Sequence, residues 1–246
     1  MAEDWPKVWV IIATYRRTET ALRTIASLHQ YLKYPNLHFH LADDGSGKTD
    51  DGTDRWHIGV LTDAIAQFYP EVTWQEMSTP PGQYDFGGNV NKAVRAAQAE
   101  GCNLYLLNVD DFALVRELDL RPMVDVLDHH PSVGLIRLSY WVPWLYTVTQ
   151  VYDAPRLNGA PHIWHRILRW SVDGWPRDSY LLSMQPYVAH TRFHDAYGWV
   201  PEHCTPGNAE TGWGGQYNDS PLGEDGPQIL VPIGETPVEA RYVHLA

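Results

Sequence analysis

Asn108-Val109-Asp110-Asp111 sets an amide and two carboxylates at the end of an apolar run, Leu104 to Leu107. Oxygen donors of that kind suit a hard divalent cation, Mg²⁺ or Mn²⁺, which keeps positions open for substrate phosphates. The same pattern is also a common turn and helix-cap signal, so its meaning depends on what stands beside it. A second acidic set, Asp43-Asp44-Gly45-Ser46-Gly47, closes the stretch Leu37 to Ala42. Thr14-Tyr15-Arg16-Arg17 follows a third apolar run, Val8 to Ala13.

The elements that must carry these residues read as an alternation. Val8 to Ala13 is uniformly apolar, as a strand buried on both faces is. Thr18 can cap a helix reaching about Leu32, with Ala21, Leu22, Ile25 and Leu28 as its apolar face. Further helices are expected around Thr53 to Phe68, Asn89 to Glu100 and Glu117 to His129, and further strands at Val72 to Glu76, Leu104 to Leu107 and Val133 to Leu138. This β-α-β-α order predicts an α/β protein of Rossmann type, a mostly parallel sheet with helices on both faces. Ligands of such a sheet lie beyond the carboxyl ends of its strands, and Thr14, Asp43 with Asp44, and Asn108 to Asp111 all fall there. After Ser139 the pattern changes: Ser139 to Tyr152 has no charged residue and reads as a strand pair with a proline turn. Gly-, Pro- and Trp-rich loops are expected from Gly198 to Gly226, then a strand near Ile229 to Ile233.

With 246 residues, the chain can bury a sizeable core. Its hydrophobic and charged fractions, 44% and 20%, are those of a globular protein. A formal charge of -12 argues against a generic nucleic-acid coat, though not against a local basic groove. No apolar run approaches a membrane span, the acidic start leads into no signal-peptide core, and two cysteines make no disulfide framework. A cytoplasmic protein is expected.

Four segments in order, Val10-Ile11-Ile12-Ala13-Thr14-Tyr15-Arg16-Arg17, Ala42-Asp43-Asp44-Gly45-Ser46, Asn91-Lys92-Ala93 and Leu107-Asn108-Val109-Asp110, resemble glycosyltransferase family 2, with its GT-A fold. Ala13 replaces the family's usual proline, and Asn108-Val109-Asp110 is the Asn-x-Asp form of its metal motif. The resemblance implies a metal-dependent, inverting transfer of a sugar from a UDP-sugar to an acceptor hydroxyl, with Mn²⁺ or Mg²⁺ as cofactor. It divides the chain into a nucleotide-sugar-binding core, residues 1–138, and a smaller acceptor-side region, residues 139–246, within one compact domain.

Residue by residue, the resemblance makes Asp110, with Asp111 beside it, the metal carboxylate and sets Asn108 and Val109 near the donor sugar or ribose. Thr14, Tyr15 and Asp44, or Asp43, would face the nucleobase and ribose; Arg17 and Lys92 would contact the diphosphate. Glu210, in Gly207-Asn208-Ala209-Glu210-Thr211, is the expected catalytic base and Glu202 the reserve; either could instead cap a helix. His244 matches a late metal-ligating histidine found in some members. The chemistry stands on its own terms: the leaving diphosphate needs its charge neutralised, and the acceptor hydroxyl needs a carboxylate beside it.

Rival readings are weaker. Gly45-Ser46-Gly47-Lys48-Thr49 lacks a P-loop's first glycine, Ala42 standing there. A nucleotidyltransferase would have a Gly-rich basic loop where Thr14-Tyr15-Arg16-Arg17 stands, and a sugar-nucleotide-binding module without chemistry remains an alternative. For the acceptor, Arg156, His162, Trp164, His165, Arg166, Arg169, Trp170, Trp175, Arg177, His190, Arg192 and His194 interleave basic and aromatic side chains, which can track phosphates and stack bases. An aromatic sugar pocket with structural arginines is the other reading. A small stand-alone transferase of this kind is similar to phage enzymes that glycosylate hydroxymethylated pyrimidines in DNA, which makes 5-hydroxymethylcytosine the specific expectation and a glycan the alternative.

Overall fold

The computed structural model describes residues 5–49, 55–77, 84–138, 150–152, 164–167, 184–222, 225–232 and 241–245. The first half follows the expected alternation: β1 (Val8–Thr14), α1 (Thr18–Tyr31), the short β2 (Leu32–Lys33), β3 (Leu37–Asp43), α2 (His57–Ala66), β4 (Thr73–Glu76), α3 (Phe86–Ala99) and β5 (Leu104–Val109). Then come β6 (Phe112–Leu114), β7 (Leu118–Asp119), α4 (Arg121–His129), β8 (Val133–Arg137), β9 (Gln150–Tyr152), β10 (Trp164–Ile167), β11 (Tyr187–His190), α5 (Arg192–Tyr197), α6 (Pro206–Asp219), β12 (Gln228–Pro232) and β13 (Tyr242–His244).

Among the described residues nine strands form one sheet in the order β4-β3-β1-β5-β11-β8-β12-β10-β9. β4, β3, β1 and β5 are parallel throughout. β11 then enters antiparallel between β5 and β8, β12 runs parallel to β8, and β10 and β9 are antiparallel additions at the edge. The sheet thus runs without a break across residue 138.

The all-apolar first strand has a simple cause. Val8, Val10 and Ile12 point into a core closed by α1, α2 and α4, while Trp9, Ile11 and Ala13 point into a second core closed by α3, α5 and α6. With side chains alternating between faces, neither face can be polar. The same division holds on β5, where Leu104 and Leu106 join the first core and Tyr105 and Leu107 the second.

Two expectations change. The segment read as Gly-rich loop contains helix α6, started by Thr205, whose hydroxyl accepts from the Asn208 N–H, with Pro206 in its first turn. Ala209, Trp213 and Tyr217, four residues apart and buried, supply the driving force that four glycines withhold. The helix expected from Glu117 begins at Arg121 instead, because Leu118 and Asp119 pair with Leu32 and Lys33 as a strand. The proline turn expected before Tyr152 lies outside the described residues. Among the described residues no helix is long and apolar enough to cross a membrane.

Candidate active site

Three adjacent parallel strands, β3, β1 and β5, end together and bring Asp43-Asp44, Thr14 to Arg17 and Asp110-Asp111 to one rim. Register pairs Thr14 with Asp43 and Ala13 with Val109, and the strands cross-link at the top: Asp44 N donates to Thr14 O and Asp110 N to Ala13 O, both at 3.0 Å. Asp110 is 6% exposed. Its Oδ2 accepts from the Thr14 hydroxyl and from the Tyr15 N–H, each at 3.0 Å. Burial outweighs these bonds and the nearby Arg17 charge, and lifts the Asp110 carboxyl to about 6.

Arg17 reaches over both acids. Its Nη1 bonds Asp111 Oδ2 and lies 3.7 Å from Asp110 Oδ1. The arginine is itself half-exposed, and its guanidinium shows how strongly this pair attracts a cation. His244 Nε2 lies 3.3 Å from the same Asp111 oxygen. It is delivered by β13, which pairs antiparallel with β6, and Leu245 N donates to Asp111 O at 2.7 Å. β13 therefore brings His244 beside Asp111 at the turn after β5. Among the described residues no three acidic, histidine or cysteine side chains converge on a single point. Two carboxylates and an imidazole nonetheless fit a Mg²⁺- or Mn²⁺-type ion whose other ligands come from phosphate and water.

Asp43 and Asp44 differ. Asp43 turns inward, fully buried, and is bound by the backbone N–H and hydroxyl of Ser46; burial lifts it to about 6. Asp44 accepts from Asp85 N at 3.0 and 3.2 Å. Tyr15 packs its ring edge-on against the exposed Tyr84, centroids 5.3 Å apart, on the same side.

Other expected residues are placed differently. Thr14 turns its hydroxyl inward to Asp110 and to His57 Nε2, 2.9 Å away. Asn108 is fully buried and donates to the carbonyls of Val109, 2.9 Å, and Phe112, 3.0 Å, so it braces the turn that presents Asp110 and Asp111. Lys92 is exposed on α3, and its charge bears on His40 in the middle of β3.

The two glutamates occupy different settings. Glu202 is exposed, accepts from Asn91 Nδ2 at 2.8 Å and lies 3.7 Å from Arg95. Glu210 sits on α6, and its Oε1 accepts from Met184 N at 2.5 Å. In the antiparallel register Tyr187, the first residue of β11, faces Leu107, so Met184 belongs to the segment that enters β11 from the carboxyl end of β5. Glu210 is thereby tied to the same rim.

Residues that sequence reasoning left without a role complete the site. Asp85 caps α3 through Gly88 N, 3.0 Å, donates its own N–H to Asp44, and accepts from His203 N at 2.6 Å. Asn91 holds Val200 by both its backbone N–H and its carbonyl. The Asp85-Phe86-Gly87-Gly88 cap was visible as a turn signal; its long-range partners were not. His190 and His194, whose spacing suits a metal, lie toward the opposite end of the sheet, where His190 pairs with Leu104. His194 is buried, stacked on Trp199 and Trp213 and bonded to the Tyr105 hydroxyl.

The family described as "Glycosyl transferase family 2" matches residues 9–177. No curated protein matches the chain. Among solved structures, S. aureus TarS is similar at 16% identity and TM-score 0.59, over 98% of this chain and 37% of that one. A TarS 1-349 structure in complex with UDP is similar at 15% identity and TM-score 0.59, over 98% and 60%. The mannosyltransferase PcManGT from Pyrobaculum calidifontis, in complex with GDP-Man and Mn²⁺, is similar at 14% identity and TM-score 0.53, over 97% and 59%. The chain spans less than two thirds of each of these, and likeness at such identities speaks for the fold, which is of the GT-A type.

Proposed function

The chain belongs to glycosyl transferase family 2, and from that premise we propose that it transfers a sugar from a UDP-sugar to an acceptor hydroxyl by a metal-dependent, inverting displacement. The observation that carries this reading is the shared rim of β3, β1 and β5, with Asp44, Tyr15 and Asp110 on neighbouring strand ends. Structural neighbours bound to UDP and to GDP-Man with Mn²⁺ support a nucleotide-sugar donor and a divalent ion.

In the proposed reaction, Asp110 and Asp111 would hold the ion, with His244 beside Asp111. Bound there, the ion would neutralise charge on the departing diphosphate. Thr14 and Tyr15 N–H keep Asp110 in one orientation. Arg17, on the same side, adds positive charge that a diphosphate can take up in place of Asp111. Asp44 with Tyr15 and Tyr84 offers a polar and aromatic seat for ribose and base, while Asp43 shapes the loop through Ser46. The acceptor oxygen attacks the anomeric carbon as the bond to the diphosphate breaks, and its proton passes to Glu210. One displacement inverts the centre.

As acceptor we propose 5-hydroxymethylcytosine in DNA, on the strength of the basic and aromatic residues between 156 and 177. Arg156, His162, Arg169, Trp170, Trp175 and Arg177 lie outside the described residues. Of the same set, Arg192 bonds the carbonyls of Leu127 and His130 at the end of α4, so it serves the fold. The test is UDP release with Mn²⁺ across a panel of UDP-sugars, with and without hydroxymethylcytosine-containing DNA. Turnover that rises with the modified DNA and falls about a hundredfold or more in Asp110→Ala is expected. Turnover indifferent to DNA moves the acceptor to a glycan. Absence of turnover with every UDP-sugar overturns the UDP-sugar-dependent transferase.

A further inference from the structure

Behind the rim, His57 is completely buried at the start of α2 with both ring nitrogens engaged. Nε2 lies 2.9 Å from Thr14 Oγ1 and Nδ1 2.9 Å from Thr18 Oγ1. The Asp43 carboxylate stands farther off, 3.9 Å from Nε2, and is bound by Ser46. Counting protons assigns the direction of these bonds. A threonine hydroxyl has one proton to donate. Thr14 gives it to Asp110 Oδ2 at 3.0 Å, so toward His57 it can only accept, and Nε2 must carry the hydrogen. The result is a directed relay, Nε2–H to Thr14 Oγ1, then Thr14 O–H to Asp110 Oδ2. Remove the first donor and the Thr14 hydroxyl is free to rotate its proton elsewhere.

We propose that His57 is a positioning residue of the donor site: through Thr14 it fixes the orientation of the Asp110 carboxylate. The proposal rests on the reading of Asp110 as the carboxylate that meets the donor's metal and diphosphate. Thr14 stands one bond behind Asp110, where a group typically sets 10–100-fold of affinity or activity, and His57 acts by holding Thr14 in that place. His57 does so from a helix with no ligand-facing residue of its own in the expected set, 43 residues from Thr14.

The test compares His57→Gln, His57→Asn and His57→Phe by the Mn²⁺ concentration that gives half-maximal UDP binding in calorimetry, with the melting temperature measured alongside. A glutamine amide nitrogen can stand where Nε2 stands and donate to Thr14; an asparagine reaches only the Nδ1 position. The Asn and Phe variants are expected to need roughly tenfold more Mn²⁺ or beyond, and the Gln variant to stay near wild type. Equal losses in all three would reduce His57 to packing and overturn the proposal, as would wild-type behaviour in all three. Asp110→Asn separates the premises. If it leaves Mn²⁺-dependent UDP binding intact, the reading of Asp110 falls and the proposal with it; if it abolishes binding while the Asn and Phe variants bind normally, only the relay falls. Nitrogen-15 NMR of histidine-labelled wild-type protein decides the case even where a variant does not fold. A protonated Nε2 on His57 is expected, and an unprotonated one overturns the relay.

Discussion

Glu210 and Glu202 are equal candidates by residue type, and their surroundings separate them. Glu202 is engaged by Asn91 and Arg95, and Arg95 is itself laid over the Trp199 ring, 4.3 Å from its centroid. A carboxylate fixed by a cation on the outer flank of α3 is a tether for the 199–202 loop. Glu210 is half-buried, on a helix, and bonded to the backbone that enters β11 from the carboxyl end of β5. Glu210→Gln is therefore expected to lower kcat by about 10²–10⁴-fold with little change in UDP affinity, the size of a lost general base. Glu202→Gln, which can still accept from Asn91, is expected to stay within tenfold in kcat. Steady-state kinetics with a saturating donor checks both, and the reverse order would exchange their roles. At this scale the sequence showed side chains whose type announces chemistry, Asp110, Asp111, Glu210 and His244. It could not show His57 or Asp85, whose work depends on partners 43 and 41 residues away. A neutral-looking histidine or a helix-cap aspartate carries no mark of where it will land.

At the scale of elements, α3 joins the rim of β3, β1 and β5 to the 198–204 loop. A Cβ on Gly87 would stand 1.9 Å from the Pro201 carbonyl oxygen, so the helix and loop are in backbone contact. Around that contact Asn91 grips Val200, and Asp85 links Asp44 to His203. Gly87→Ala must push the two apart. A loss of about 1–3 kcal/mol is expected, read as a lower melting temperature, together with a larger loss of sugar transfer than of UDP binding. An unchanged melting temperature would mean the contact yields freely. The strands and helices on either side of this junction were legible because β1 and β5 are apolar on both faces and β3, α1 and α3 on one. The junction itself was not. α6 was hidden by its glycines, although Ala209, Trp213 and Tyr217 carried its period. β11 was hidden by its brevity, four residues whose antiparallel entry into the sheet depends entirely on β5 and β8.

Over the whole molecule, buried groups of two kinds pull stability in opposite directions as pH changes. His40, His190 and His194 are each pushed down to about 4 by burial. The unfolded chain binds protons at such imidazoles near 6.5, while the native chain holds off until about 4. Throughout that window the unfolded state binds more protons, so these three cost stability as the medium is acidified. Asp43 and Asp110, lifted to about 6, act the other way: the native state takes up their protons first, and their contribution is full below the unfolded carboxylate range and lost as pH rises through about 6. Partial cancellation between pH 4 and 6 is the consequence. His194 isolates one side of it, because it lies away from the acidic rim and is 1% exposed. His194→Phe keeps a ring between Trp199 and Trp213 but cannot take a charge, and it removes the imidazole that the Tyr105 hydroxyl bonds. Above pH 7 the variant is expected to be less stable by about 1–3 kcal/mol, the cost of a buried group left unbonded. Between pH 7 and 4 the gap should close by as much as roughly 3 kcal/mol, because only in wild type does the unfolded chain bind a proton that the native imidazole does not take up. Urea midpoints for the two proteins at a series of pH values measure that gap directly, and a gap constant across the window would remove His194 from the acid response of the fold.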